Sequence, residues 1–214
     1  MVEFEKIVEA VNSALKDAPK RNFNESVDLT INLKNIDLSN PKNRIDEVIL
    51  LPNGTGGANR IAVFGKGDIV TRAKDAGADL VLGPQDIERL AGEPREARRL
   101  ANQYRFFLAD TGVMSLIGKS LGQRLGPRGK MPTPIPPNTD IQPIVDRLRK
   151  SVKIRTKDRR TFHTKVGVAG MEPVKIAQNI DAVLKRVESV LEQGSANIRS
   201  VYVKTTMGPA VRVI

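Results

Sequence analysis

Three stretches of this chain gather hydroxyl, glycine and basic residues densely enough to do chemistry. Lys204-Thr-Thr-Met-Gly-Pro209 places a hydroxyl pair, a thioether and a Gly-Pro step at the end of an alternating run. Ser26, Asp28 and Thr30 alternate with Val27, Leu29 and Ile31, which makes one face of a strand polar. Ser200, Tyr202, Lys204 and Thr206 make a second such face. If the two strands share a sheet, its outer surface offers small hydroxyls and an amine, with Tyr202 as the one bulky ring. Such a face can approach a sugar–phosphate surface closely and hydrogen-bond it; a solvated sheet face is the plainer alternative. The third stretch, Leu125-Gly-Pro-Arg-Gly-Lys-Met-Pro132, sits in a segment (118–137) with nine Gly and Pro among twenty residues. It reads as a long ordered loop displaying Arg128 and Lys130, either functional or a structural crossover.

Catalytic chemistry has little to build on. His163 is the one His and there is no Cys, so thiolate metal sites, disulfides and Cys nucleophiles are excluded. No HExxH or GxSxG occurs, and no catalytic, metal-ligating or cofactor-binding residue is expected. Gly65-x-Gly67 follows an apolar run like the start of a dinucleotide fingerprint, but Val70 stands where the third Gly belongs. It reads as a tight strand-to-helix turn. Gly54-Thr-Gly-Gly57 lacks the Lys-Ser/Thr of a phosphate loop. Gly118, Gly122 and Gly126, spaced by four, read as a smooth helix face allowing close packing.

Charge is more informative. The 214 residues carry 35 Lys and Arg against 24 Asp and Glu, net +11. Residues 119–165 alone hold 13 basic and 3 acidic side chains. A uniformly solvated surface would not concentrate its excess in this way. Basic side chains neutralise phosphates and release counterions, which makes nucleic acid the expected partner. Only eight residues are aromatic, against a base-stacking reader of single strands and in favour of contact with a folded backbone. No apolar run is long enough to span a membrane, and the opening residues, with Glu inside their apolar pattern, are not expected to act as a secretory signal.

The elements that must position these residues fall into two styles. At the chain ends, alternating strands (26–33, 47–51, 152–155, 162–168, 199–207) accompany one long helix each, 3–17 and the helix after Pro173 that Gly194 terminates. Between them, short apolar runs (61–64, 80–82, 106–109) alternate with helices: one capped by Asp68, then 85–91, 95–102, 112–124 and 143–151. The second style predicts βα units around a parallel sheet. The expected fold class is therefore α/β with two domains. An α+β domain (antiparallel sheet, two helices) forms from 1–59 and 154–214, and a Rossmann-like parallel α/β domain is inserted at 60–153. One continuous α+β domain is the alternative.

Three stretches also resemble a known family, the L-one ribosomal proteins of the large subunit's mobile lateral stalk. They are Phe23-Asn-Glu-Ser-Val-Asp-Leu29 with Leu51-Pro-Asn-Gly-Thr-Gly56; Leu125 to Pro132; and Ser200-Val-Tyr-Val-Lys-Thr-Thr-Met-Gly-Pro209. The resemblance runs over essentially the whole chain and is of archaeal type, without the N-terminal extension of bacterial members. Asn53 and Thr133 stand where many bacterial members have His and Asn. It implies a cytoplasmic, ribosome-bound protein without catalysis, a monomer when free. Its implied partners are large-subunit ribosomal RNA beside the tRNA exit site, deacylated tRNA leaving that site, and the protein's own messenger RNA, which it represses. Carried over by position, the RNA contacts are Phe23, Ser26, Asp28, Lys165, Gly167, Ser200, Thr206, Met207 and Gly208; the polar face adds Lys204. Glu25 is read as supporting the strand end. The competing expectation is a nucleotide-dependent enzyme using the inserted α/β domain.

Overall fold

The structure, a computed structural model, describes residues 3–214 apart from Lys20, Asn138 and Asp158, with Lys42 described by its backbone alone. The chain divides into two compact units, one from Met1–Ala58 with Lys150–Ile214, the other from Asn59–Arg149. The second crossing lies at 149/150 rather than 153/154. Strand pairing sets it there: Ser151–Arg155 pairs antiparallel with Asp46–Leu50, so the whole strand belongs with the chain ends.

The first unit is built on a four-stranded antiparallel sheet. β1 (Ser26–Leu33) lies between the strand Thr161–Val168 and the strand Ile198–Thr205, whose outer neighbour is Ala210–Arg212. Strict alternation in β1 buries Val27, Leu29, Ile31 and Leu33. Two helices, Phe4–Lys16 and Pro173–Val190, cover that face; Ile7, Val11, Ile176, Ile180, Val183 and Val187 all point into the shared core. Each such side chain contributes about 1.5–3 kcal/mol by leaving water. The second helix ends at Val190, not at Gly194, which opens a separate 3₁₀ turn at φ +55. The last long strand stops at Thr205, two residues short of the expected end, because the backbone turns at 206–208 to begin the strand Ala210–Arg212.

The second unit is built on a parallel sheet of four strands: Leu80–Leu82, Ile61–Phe64, Phe106–Asp110 and Thr133–Ile135, in that spatial order. The last strand lies inside the segment expected to be a loop. Pro134 lacks an amide donor, so an edge is the place a sheet can tolerate it. Asp68 is the first residue of the helix Asp68–Asp75 rather than its cap, and its carboxylate pairs with Arg72 at 2.9 Å. The helix Met114–Leu125 buries Ile117, Leu121 and Leu125. Gly118 and Gly122 face open space, so the expected close-packed glycine face is not used. The helix expected at 143–151 spans Gln142–Arg149.

Candidate nucleic-acid interface

The face of the first sheet opposite the helices is built in rows. In register, Asp28 stands between Lys165 and Lys204, Thr30 between His163 and Tyr202, and Asn32 between Thr161 and Ser200. Asp28 offsets one of the two lysines facing it across the strands, so these three rows carry a net charge of only +1. The third row is closed on itself. Thr161 donates its hydroxyl to Asn32 Oδ1 at 2.7 Å, and Asn32 Nδ2 donates to Ser200 Oγ at 2.9 Å. Ser200 is 8% exposed and lies at the far end of the face from Thr206. It belongs to the sheet's internal bonding and is set apart from the other expected contacts.

Gly167 also departs from expectation. The register slips between Val27 and Asp28, so Val166 is an extra residue and both Val166 and Gly167 turn inward. A Cβ on Gly167 would lie 3.1 Å from Ile176 Cγ1 and 3.4 Å from Met171 Sδ. The missing side chain serves the approach of the covering helix, not an external partner.

The remaining expected residues converge on one end of the sheet. Thr206 donates its amide to Ser26 O at 3.0 Å, and its hydroxyl accepts from Ser26 N at 3.0 Å. Met207 N donates to Glu25 Oε2 at 3.2 Å, and Gly208 N donates to Thr205 Oγ1 at 3.0 Å. A Cβ on Gly208 would lie 2.3 Å from that hydroxyl, so the position admits no side chain without breaking the turn. The turn 205–208 is thus fixed before any partner arrives. Its bonds leave Met207 56% and Phe23 54% exposed beside it.

Glu25 and Thr205 hold this turn together, a role that sequence alone undervalues. Both fall on inward positions of their alternations (25, 27, 29 and 201, 203, 205), where a polar group needs a partner. Glu25 is 5% exposed. The Thr205 hydroxyl and the Met207 amide, aided by the charges of Arg21 and Lys204, hold its carboxyl below the usual carboxylate range against the cost of covering it. Glu25 Oε1 nevertheless makes no hydrogen bond of good geometry, leaving one covered acceptor at the turn.

A second support lies behind this end. Asn179, fully buried on the covering helix, donates to Gly54 O and Val166 O, both at 2.8 Å, and accepts from Asn53 N at 3.1 Å. Asn53 Nδ2 in turn donates to Gln178 Oε1 and Lys175 O. The loop expected as an ordinary turn is thereby tied to strand and helix.

The third sequence stretch behaves differently. Lys130 is not displayed: its Nζ donates to Ala101 O at 2.7 Å and Tyr104 O at 2.8 Å, closing the end of the helix Pro94–Gln103. Burial, together with Arg105 and Arg128 nearby, holds its ammonium below the usual lysine range. Arg128 is exposed. Among the described residues no group of three or more His, Asp or Glu could hold a metal ion, and no helix is long and apolar enough to cross a membrane.

Comparison with known proteins identifies the family. Residues 15–209 match the family model of the Ribosomal protein L1p/L10e family. The chain is 66% identical over 214 residues to the large ribosomal subunit protein uL1 of Methanoregula boonei, covering all of both chains. It is 67% identical to that of Methanoculleus marisnigri and 49% identical to that of Archaeoglobus fulgidus, again over the full length of both chains. With the family model covering residues 15–209 and these relatives matched over their full length, the chain belongs to the Ribosomal protein L1p/L10e family.

Proposed function

We propose that this protein is a non-enzymatic constituent of the large ribosomal subunit, in the cytoplasm, and that it holds ribosomal RNA of the mobile lateral stalk beside the tRNA exit site. The observation that carries the reading is the pre-set turn 205–208. Its backbone is bonded onto Glu25 and Ser26, and Phe23 and Met207 are left bare next to it. A turn fixed in advance loses little freedom on binding, which favours recognition of one RNA backbone shape over many. The row Lys165–Asp28–Lys204 beside it supplies donors to phosphates without a large local field.

Seated there, the protein assists release of deacylated tRNA, and a messenger of its own carrying a similar RNA site would be repressed by competition for the same turn. Binding of a stalk-RNA transcript, measured by filter retention or fluorescence anisotropy, is the test. Tight binding that weakens steeply as salt rises is expected, with unrelated structured RNA bound far more weakly. ATP and NAD should leave the melting temperature unchanged. Failure to retain the stalk transcript, or a nucleotide-induced thermal shift in its place, would overturn the reading.

A further inference from the structure

The first unit carries 20 basic and 14 acidic residues, net +6. Among the described side chains of residues 34–44, 157–160 and 199 are six of those basic residues and one of the acids, net +5. These segments come together at the end of the sheet away from the turn 205–208. Leu33 N donates to Arg160 O and Lys34 N to Asn197 O, both at 2.8 Å. The register between β1 and its other neighbour slips there, leaving Arg199 as the extra residue between Ser200 and Ile198. Arg44 and Arg160 line one hollow of about 450 Å³ with Asp37 and Ser39. Lys34, Arg159, Arg160 and Arg199 are all exposed.

Grouping like charges on one edge costs stability through mutual repulsion. Asp37 is the acid of this edge within the described residues, and it is already held by the Ser39 amide and hydroxyl and by the charge of Arg160. An external polyanion would relieve the repulsion. Between this rim and the turn runs the polar outer face, roughly 27 Å of strand from Ser26 to Lys34. That face carries hydroxyls, amides, the charged row of Asp28, Lys165 and Lys204, and the rings of Tyr202 and His163, with none of the clustered apolar anchors on which a protein partner would seat.

We propose that Lys34, Arg160 and Arg199 form a second, sequence-independent contact for RNA. The strand held at the turn continues along the outer face and lays its phosphates on this rim. The inference rests on the RNA-binding reading above and adds a division of labour: shape is read at the neutral end, and salt-dependent affinity is supplied at the basic end.

The test compares two triple variants of the full chain on the same stalk transcript. Lys34→Gln with Arg160→Gln and Arg199→Gln strips the rim of charge. Lys6→Gln with Lys16→Gln and Lys185→Gln removes equal charge from the two helices. The rim variant is expected to lower the slope of log K against log salt by about 2, at roughly 0.7–0.9 for each phosphate left unneutralised. It should also lose hydroxyl-radical protection at one end of the footprint, with the melting temperature retained. The helix variant should keep both slope and footprint. Equal slopes for the rim variant and the unaltered protein, or an equal fall in both variants, would overturn the rim while leaving RNA binding at the turn intact. Failure of the unaltered protein to bind would instead remove the reading beneath it.

Discussion

The hydroxyl of Thr206 is bonded twice to the backbone of Ser26, accepting from its amide at 3.0 Å and donating to its carbonyl at 3.3 Å. This side chain, expected from the sequence to reach outward to RNA, is spent on holding two chain segments 180 residues apart.

Thr206→Val should therefore weaken RNA binding by loosening the turn, and should cost about 0.5–1.5 kcal/mol of stability. Thr206→Ser keeps the hydroxyl and should keep both properties. Amide exchange at Ser26 decides the point, since its hydrogen bond is lost in the Val variant and retained in the Ser variant.

Glu25 ties stability to acid. Its carboxyl titrates below its unfolded value of about 4.3, so its contribution is fully present above that pH and is lost as pH falls through the lower folded value. Glu25→Gln should melt at a lower temperature than the unaltered protein at pH 7. The gap should close progressively below the ordinary carboxylate range. Thermal melts of both proteins from about pH 7 to pH 3 provide the comparison.

Asn179→Leu should be the most damaging single change near the site. It strips partners from Gly54 O, Val166 O and Asn53 N behind the turn. The cost should reach about 3 kcal/mol, because buried backbone groups are left unsatisfied. Chemical denaturation measures it, and RNA affinity should fall in parallel.

Lys130→Met should destabilise the inserted unit by about 1–2 kcal/mol, discounted for the exposure of the ammonium, and should leave RNA affinity unchanged. Hydrogen exchange confined to residues 59–149 would register the first effect, and anisotropy the absence of the second.

Periodicity carried most of the fold. The strands Ser26–Leu33, Ile61–Phe64 and Leu80–Leu82 begin and end where alternation or apolar runs place them, because burial on one or both faces leaves the register no freedom. The strand Thr133–Ile135 was hidden by its proline, which reads as a breaker unless the neighbouring strand is known. The site was legible in part. Alternation located the polar face and the resemblance located the turn, but neither shows which polar groups are already bonded inside the protein. Ser200, Gly167 and Lys130 look like ligand-facing residues in one dimension. A bulge turns Gly167 inward, two backbone carbonyls hold the Lys130 ammonium, and the Asn32 amide engages Ser200 on the outer face, all set by tertiary pairing.

The central position of β1 has a consequence for synthesis. Its partner strands begin at residues 161 and 198, so β1 emerges from the ribosome long before either can pair with it. Residues 59–149, which form a compact unit of their own, can complete their sheet during the wait. The turn that clasps Glu25 and Ser26 forms only once residue 208 is free. A nascent chain therefore acquires a folded middle before it acquires the surface that engages RNA, and an interrupted chain never acquires that surface at all.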